Sequence, residues 1–463
     1  MSPLPEQPIS PLDGRYRAAV SELGEHLSEA GLNRARVHVE VEWLIFLTDR
    51  ELFGSSALSI AQVASLRALV TDFGQAEIDE LATLEATTRH DVKAVEYLVR
   101  QKLEELGLNA VAELTHFACT SEDVNNLSYA LTIGSAVREI WQPRLVGVVE
   151  KLRTLAIDNR DVPMLAHTHG QPATPTTVGK EFAVFVHRLE RQLRQIEATT
   201  YLGKFSGATG TFAAHVAADP HQNWPKLSEE FVSGLGLDWN PLTTQIESHD
   251  WQAELYLRMS HSNRILHNLC TDIWTYISMG YLTQIPLAGA TGSSTMPHKI
   301  NPIRFENAEA NLELSSALLE SLSQTLVTSR LQRDLTDSTT QRNVGVAFGH
   351  SVLALDNILR GLSEFSVAQE ALASDLDTNW EILGEAIQTV IRAEITAGRS
   401  GITDPYAMLK ELTRGRRIGQ SELVEFIDKL DIGAEAKASL RTLTPAGYSG
   451  LASELVDYVI TPR

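Results

Sequence analysis

Residues 255–277 read LYLRMSHSNRILHNLCTDIWTYI. Leu255, Met259, Ser262, Leu266, Leu269, Ile273 and Ile277 recur at steps of three and four, which aligns them along one face of an α-helix. The run is long for a globular helix, and no proline interrupts it before Pro286. Upstream, Val178, Phe182, Phe185, Leu189, Leu193 and Ile196 repeat the pattern as far as Gly203. Downstream, Leu312, Ser315, Leu318, Leu322 and Leu326 repeat it again. No stretch alternates convincingly as strands do, and no strand–helix rhythm is present. The spacing predicts an all-α fold with a central bundle of long helices.

Outward from these stripes the chain divides into three expected domains. An N-terminal helical domain covers 1–115, the long helices occupy 116–365, and a C-terminal helical domain covers 366–463. The last is more polar and is punctuated by Gly398, Gly401, Pro405, Gly415 and Gly419. Broad apolar helix faces fit burial against other helices, either in the same chain or in partner subunits.

Composition limits the function classes. The chain has 463 residues, of which 43% are hydrophobic and 21% charged, an ordinary globular balance. Its formal charge is −20, which argues against nucleic acid or an anionic membrane as a partner. A local cluster of arginines can still hold an anionic small molecule. The two cysteines, Cys119 and Cys270, supply neither a disulfide framework nor a cysteine-built zinc site. From Ile273 to His298 no side chain is formally charged. The Thr, Ser, Gln, Gly and Pro residues in that stretch make it a buried helix running into a loop rather than a membrane span. The opening MSPLPEQPISPLDGRY lacks a basic region followed by an apolar one, so no signal peptide is expected and the cytoplasm is the expected location.

Several short blocks carry chemistry. Gly292-Ser-Ser-Thr-Met-Pro-His-Lys-Ile-Asn-Pro302 is a small-residue loop with hydroxyls, a fixed cation and an amide. Glycine gives such a loop freedom, proline restricts where it bends, and closure over an anion excludes water. Thr168-His-Gly-Gln-Pro-Ala-Thr-Pro175 cannot be a continuous helix. It places His169 on a loop before a long helix, where imidazole can act as a general acid or base. A solvent-exposed histidine is the plainer reading of that residue. His167 and His169 form an HxH pair, but no further ligand cluster accompanies them and no metal is expected. Arg89, His90 and Asp91 stand at a predicted helix start, as do Thr120 and Ser121. Such N-termini either carry simple caps or offer backbone donors to an anion. Arg333, Ser338 and Arg342 lie in SRLQRDLTDSTTQRN, a run that reads as a solvated face or as a phosphate-binding cluster. Arg15 beside Tyr16, and Gln245 with its two-sided hydrogen bonding, complete the set.

Together, SPLDGRY (10–16), HDVKAVEYLV (90–99), HFACTSEDVNNLS (116–128), THGQPATP (168–175), WNPLTTQIE (239–247), GSSTMPHKINP (292–302) and RDLTDST (333–339) resemble the fumarase/aspartase superfamily. The MPHK form of the loop, where fumarase and aspartase usually carry MPGK and argininosuccinate lyase MPQK, is similar to that of the adenylosuccinate lyase family. The resemblance implies a three-domain helical protomer and a homotetramer with active sites shared between subunits. It implies anti elimination of fumarate from adenylosuccinate and from the ribotide SAICAR, without metal or organic cofactor. It implies Ser293 as general base, His169 as general acid and His90 as support. Lys299, Asn301, Thr120, Ser121, Gln245 and Ser294 take the succinyl end. Arg15, Tyr16, Arg333, Ser338 and Arg342 take the nucleotide, mainly its phosphate. Arg89 departs from the pattern by standing where asparagine is expected. It adds a cation to the site if its side chain faces the ligand and changes little if only its backbone does. Two other readings stay open: the same elimination with a different leaving group, and a non-catalytic protein that retains the scaffold.

Overall fold

A computed structural model of the chain describes residues 7–286, 296, 299–413 and 418–460, without the side chains of 411–413. The three sequence stripes form helices at Val178–Glu197, Asp250–Ser278 and Ile303–Leu326. Two further long helices span Gln142–Asp158 and Val344–Gly361. Burial follows the stripes: Leu255, Met259, Ser262, Leu266, Leu269 and Ile273 are all buried.

The chain divides into two compact units, residues 1–145, 192–266 and 310–356 in the first and 146–191, 267–309 and 357–463 in the second. All five long helices contribute residues to both.

In the first unit, helices Glu29–Asp49, Asp91–Glu105 and Ser121–Ala136 pack together. Ser28 caps the first of them, its Oγ accepting from Gly31 N at 3.0 Å. Trp43 anchors an aromatic cluster with Phe46, Phe205 and Phe231, at centroid separations of 4.5–5.4 Å, and its Nε1 donates to Phe117 O at 3.1 Å. Between the long-helix segments of this unit the core is polar at one level. Trp141 Nε1 donates to Ser351 Oγ at 2.8 Å, Ser351 to Asn263 Oδ1 at 2.9 Å, and Asn263 Nδ2 to Ser315 Oγ at 3.0 Å. Ser262 and Ser315, members of the sequence stripes, are both buried; Ser315 Oγ donates to Ala347 O at 2.8 Å.

The second unit has a separate apolar core around Leu383, Ile387, Ile391, Leu423, Ile427 and Leu440. Arg153 and Glu190, both buried, form an ion pair at 2.8 Å, and Arg160 holds the C-terminal turn through Asp457 at 2.8 Å.

The absence of strands expected from the sequence needs correcting at three places. Leu202–Gly203 pairs with Asp238–Trp239, and Leu282–Gln284 with Phe365–Val367, as minimal two-stranded sheets. More consequential is the antiparallel hairpin Pro163–Thr168 with Gln171–Thr177, which includes the block read as a loop. Pro175 is accommodated by register: with Thr174 it opposes Leu165 at a bulge, where the missing N–H is not needed. The fold class is unchanged, since these strands are short inserts among helices. Among the described residues no helix is long and apolar enough to cross a membrane.

Candidate active site

The hairpin presents His169 at its tip. Thr168 pairs with Gln171, leaving His169-Gly170 as a two-residue turn. Both turn residues have positive φ, 55° and 71°, as a type I′ turn requires. Histidine is among the few side-chain-bearing residues enriched in that conformation. The imidazole is therefore exposed on a stiff two-stranded support rather than on a wandering loop. In the same unit, Lys299 and Asn301 precede the helix Ile303–Leu326, Lys299 N donating to Met296 O at 3.0 Å and Ile303 N to Asn301 O at 2.8 Å. Ser293 and Ser294 lie outside the described residues.

The first unit joins Asp91, Arg333, Ser338 and Arg342 in one hydrogen-bonded chain. Asp91 Oδ2 accepts from Arg36 Nη2 at 2.9 Å and from Arg342 Nη2 at 3.1 Å. Arg36, 2% exposed, also donates to Asn125 Oδ1 at 2.9 Å and Asn33 Oδ1 at 2.8 Å. Asn125 Nδ2 donates to Glu122 Oε1 at 2.8 Å, and Glu122 lies 3.1 Å from Arg333 Nη2. Arg333 Nη1 donates to Asp337 Oδ2 at 2.8 Å, the carboxylate that also faces His249 Nε2 at 3.3 Å. One network thus links the helix starts at His90–Asp91 and Thr120–Ser121 to the segment holding Arg333, Ser338 and Arg342. Ser338 meets it through its backbone, donating to Asp337 Oδ1 at 2.6 Å.

The network sets its own charge states. Burial alone would raise the Asp91 carboxyl, but Arg36, the Val92 N–H and Arg342 outweigh it and hold it below its usual range. Asp337 is likewise held low against burial by His249 and Arg333. Glu122 goes the other way: burial pushes it up, and Arg333 offsets this only in part.

His90 caps its helix, its Nδ1 accepting from Lys93 N at 3.3 Å. Thr88 bonds His90 backbone atoms. Thr120 caps the other helix, its N–H donating to Asp123 Oδ2 at 2.8 Å. Gln245 Nε2 donates to Ala208 O at 2.8 Å. Arg15 lies with its guanidinium 5.9 Å from the Tyr16 ring centre. The neighbouring residues Asp13 and Arg17 line a cavity of about 640 Å³ together with Arg342, so the N-terminal segment borders the arginine cluster.

Sequence reading passed over Arg36, Lys204, Glu40 and His116. His116 has φ of 55° and lies 2.5 Å from the buried Glu40 carboxylate. Burial opposes its charge, yet Glu40 first, then Glu96 and Asp123, hold its pKa above the ordinary value. Their spacing carried no local signal, because each has its charged partner on another element.

A lyase family model matches residues 14–314, and the adenylosuccinate lyase C-terminal model matches 329–449. The adenylosuccinate lyase of Escherichia coli (strain K12) is 47% identical over 451 residues, covering 97% of this chain and 98% of its own. That of Haemophilus influenzae is also 47% identical, with the same coverage. The chain belongs to the adenylosuccinate lyase family. Its activity is that family's carbon–nitrogen lyase reaction in purine biosynthesis. Among solved structures, the 3-carboxy-cis,cis-muconate lactonizing enzyme of Pseudomonas putida superposes with a TM-score of 0.74 at 18% identity, over 96% of this chain and 98% of that one. At that identity the likeness speaks for the fold alone.

Arg89 now has a physical context within an adenylosuccinate lyase scaffold. It ends the helix Gln75–Thr88 with φ of 51°, a left-handed position that asparagine or glycine adopts at lower cost. The backbone, not the side chain, is what this position demands. Arg89→Asn is therefore expected to raise stability by about 0.5–1 kcal/mol and to leave KM within about two-fold, checked by urea unfolding and steady-state kinetics. A many-fold rise in KM would make the guanidinium a ligand.

Proposed function

We propose that the reaction is anti elimination of fumarate from adenylosuccinate to give AMP, and from SAICAR to give AICAR. Ser293 removes the proton from the succinyl Cβ, and His169 protonates the departing nitrogen on the opposite face. Lys299, Asn301, Thr120, Ser121, Gln245 and Ser294 hold the succinyl carboxylates. The carboxylate beside the carbanion takes on dianion character, and each well-aimed donor there is worth about 3–4 kcal/mol. Arg15, Tyr16, Arg333, Ser338 and Arg342 hold the nucleotide. His90 supports the site from its cap position. Asp91 acts through Arg342 and Arg36 rather than by touching an anionic substrate, which its carboxylate would repel.

The observation that carries this reading is the network from Arg342 through Asp91, Arg36, Asn125 and Glu122 to Arg333. It fixes two arginines suited to a phosphate beside two helix N-termini suited to carboxylates. The protomer works as a cytoplasmic homotetramer with sites shared between subunits and with domains at 1–115, 116–365 and 366–463. Exposed Val184, Leu257, Trp274 and Leu314 on the long helices support coverage by other copies.

The test is a UV-monitored assay of the purified protein with adenylosuccinate, SAICAR, argininosuccinate and malate. Release of AMP and fumarate from adenylosuccinate, with no turnover of argininosuccinate or malate, is expected. Turnover of another succinyl compound alone would discard the nucleotide site. No turnover by folded protein would favour the retained-scaffold reading.

A further inference from the structure

The proposed reaction uses Thr120, Ser121 and Gln245 but does not say what sets their positions. Beneath them lies an ion pair with both side chains fully buried: Lys204 Nζ and Asp123 Oδ1 are 2.8 Å apart, each at 0% exposure. Both carboxylate oxygens of Asp123 also accept from backbone N–H groups. Oδ2 accepts from Thr120 N at 2.8 Å and Gly207 N at 3.1 Å, and Oδ1 from Ser206 N at 2.8 Å. Lys204 Nζ also donates to Gly207 O at 2.9 Å. Its backbone is clamped in turn, its N–H donating to Asn126 Oδ1 at 2.8 Å and its C=O accepting from Asn126 Nδ2 at 2.9 Å.

The pair therefore fastens the start of the helix Ser121–Ala136 to the loop 204–210. That loop in turn fixes Gln245, whose Nε2 donates to Ala208 O at 2.8 Å. The loop has little freedom to compensate for a change. At Gly210, with φ of 75°, a Cβ would lie only 2.2 Å from Thr243 O. A buried ion pair is a poor device for stability alone, because an apolar pair of the same volume usually does as well. Here it joins separate pieces of chain, the helix start at Thr120 and the loop that bonds Gln245.

We propose that Asp123 and Lys204 are positioning residues for the succinyl end: they set the spacing between the Thr120–Ser121 helix start and Gln245. The inference rests on the reading that those three residues bind the succinyl carboxylates. Neither Asp123 nor Lys204 touches substrate.

The test compares two product inhibitors, fumarate for the succinyl end and AMP for the nucleotide end, on the full-length enzyme. Lys204→Met leaves Asp123 buried without its cation and is expected to accumulate poorly in folded form. The double variant Asp123→Asn/Lys204→Met removes both charges and retains an acceptor for Thr120 N. The expected result for the double variant is a fumarate inhibition constant raised about ten-fold or more, with that for AMP within about two-fold and kcat/KM reduced by about 10²-fold, as an ångström-scale misplacement produces. Equal changes in both inhibition constants, or no change in either, would overturn the proposal. Ser121→Ala separates it from the reading beneath it. If Ser121→Ala weakens fumarate inhibition and the double variant does not, the positioning role alone fails. If Ser121→Ala leaves fumarate inhibition intact, the succinyl assignment itself fails.

Discussion

Replacing His169 by asparagine is expected to lower kcat for adenylosuccinate cleavage by about 10²–10⁴-fold, the usual range for a lost general acid or base. The choice of asparagine follows from the hairpin. His169 has φ of 55° and is followed by Gly170 at 71°, and Asn-Gly is the favoured pair for such a turn. An alanine there would lose the proton donor and strain the backbone together, and the two effects could not be separated. With asparagine the turn keeps its preferred residues, so the urea midpoint is expected to hold or rise slightly. A fall in kcat at unchanged stability assigns the loss to the imidazole. Activity within about three-fold of the parent would remove His169 from proton transfer.

The same hairpin marks where sequence reading stopped. Leu255 through Ile277 was legible because a repeating step reports a helix without knowledge of any other part of the chain. The hairpin carries three prolines and a bulge opposite Leu165, which erase the alternation that reports a strand. Thr120 and Asp123 were legible as a cap because the partners are three residues apart. Arg36 was not, because its partners Asp91 and Asn125 are 55 and 89 residues away. Within EAGLNRARVHVEVEWL it reads as an ordinary exposed position on a helix. Lys204 was hidden in the same way, in a glycine-rich loop whose counterion lies on another element. Local chemistry is written in spacing; a buried charge is intelligible only once its distant partner is known. The family motifs name the proposed ligand-facing residues, whereas Arg36 and Lys204, the buried cations behind them, lie outside those motifs.

Arg36→Met tests that distinction with the largest expected cost in stability, about 3–5 kcal/mol, the range for removing one partner of a buried pair. The loss has three identifiable parts. Asp91 loses its buried guanidinium and keeps Arg342 at 3.1 Å, and Asn125 Oδ1 and Asn33 Oδ1 each lose a donor. The pH dependence has a definite sign. Asp91 is held below the ordinary carboxylate range, so its contribution is full above that range and lost as pH falls through its depressed folded value. The gap between parent and variant in urea unfolding is therefore expected to be widest at neutral pH and to narrow on acidification below about pH 4. A gap independent of pH would mean that packing of the arginine stem, not its charge, was lost. Adding Asp91→Asn to Arg36→Met removes the stranded charge and is expected to recover much of the stability. It should not recover function. Without the Asp91 carboxylate, Arg342 loses its nearer anchor and keeps only Glu29 at 3.4 Å, so KM for adenylosuccinate stays raised while the fold is restored. Stability and activity parting company in the double variant is the behaviour of a residue retained to aim another. Recovery of both together would reduce Arg36 to a core contact.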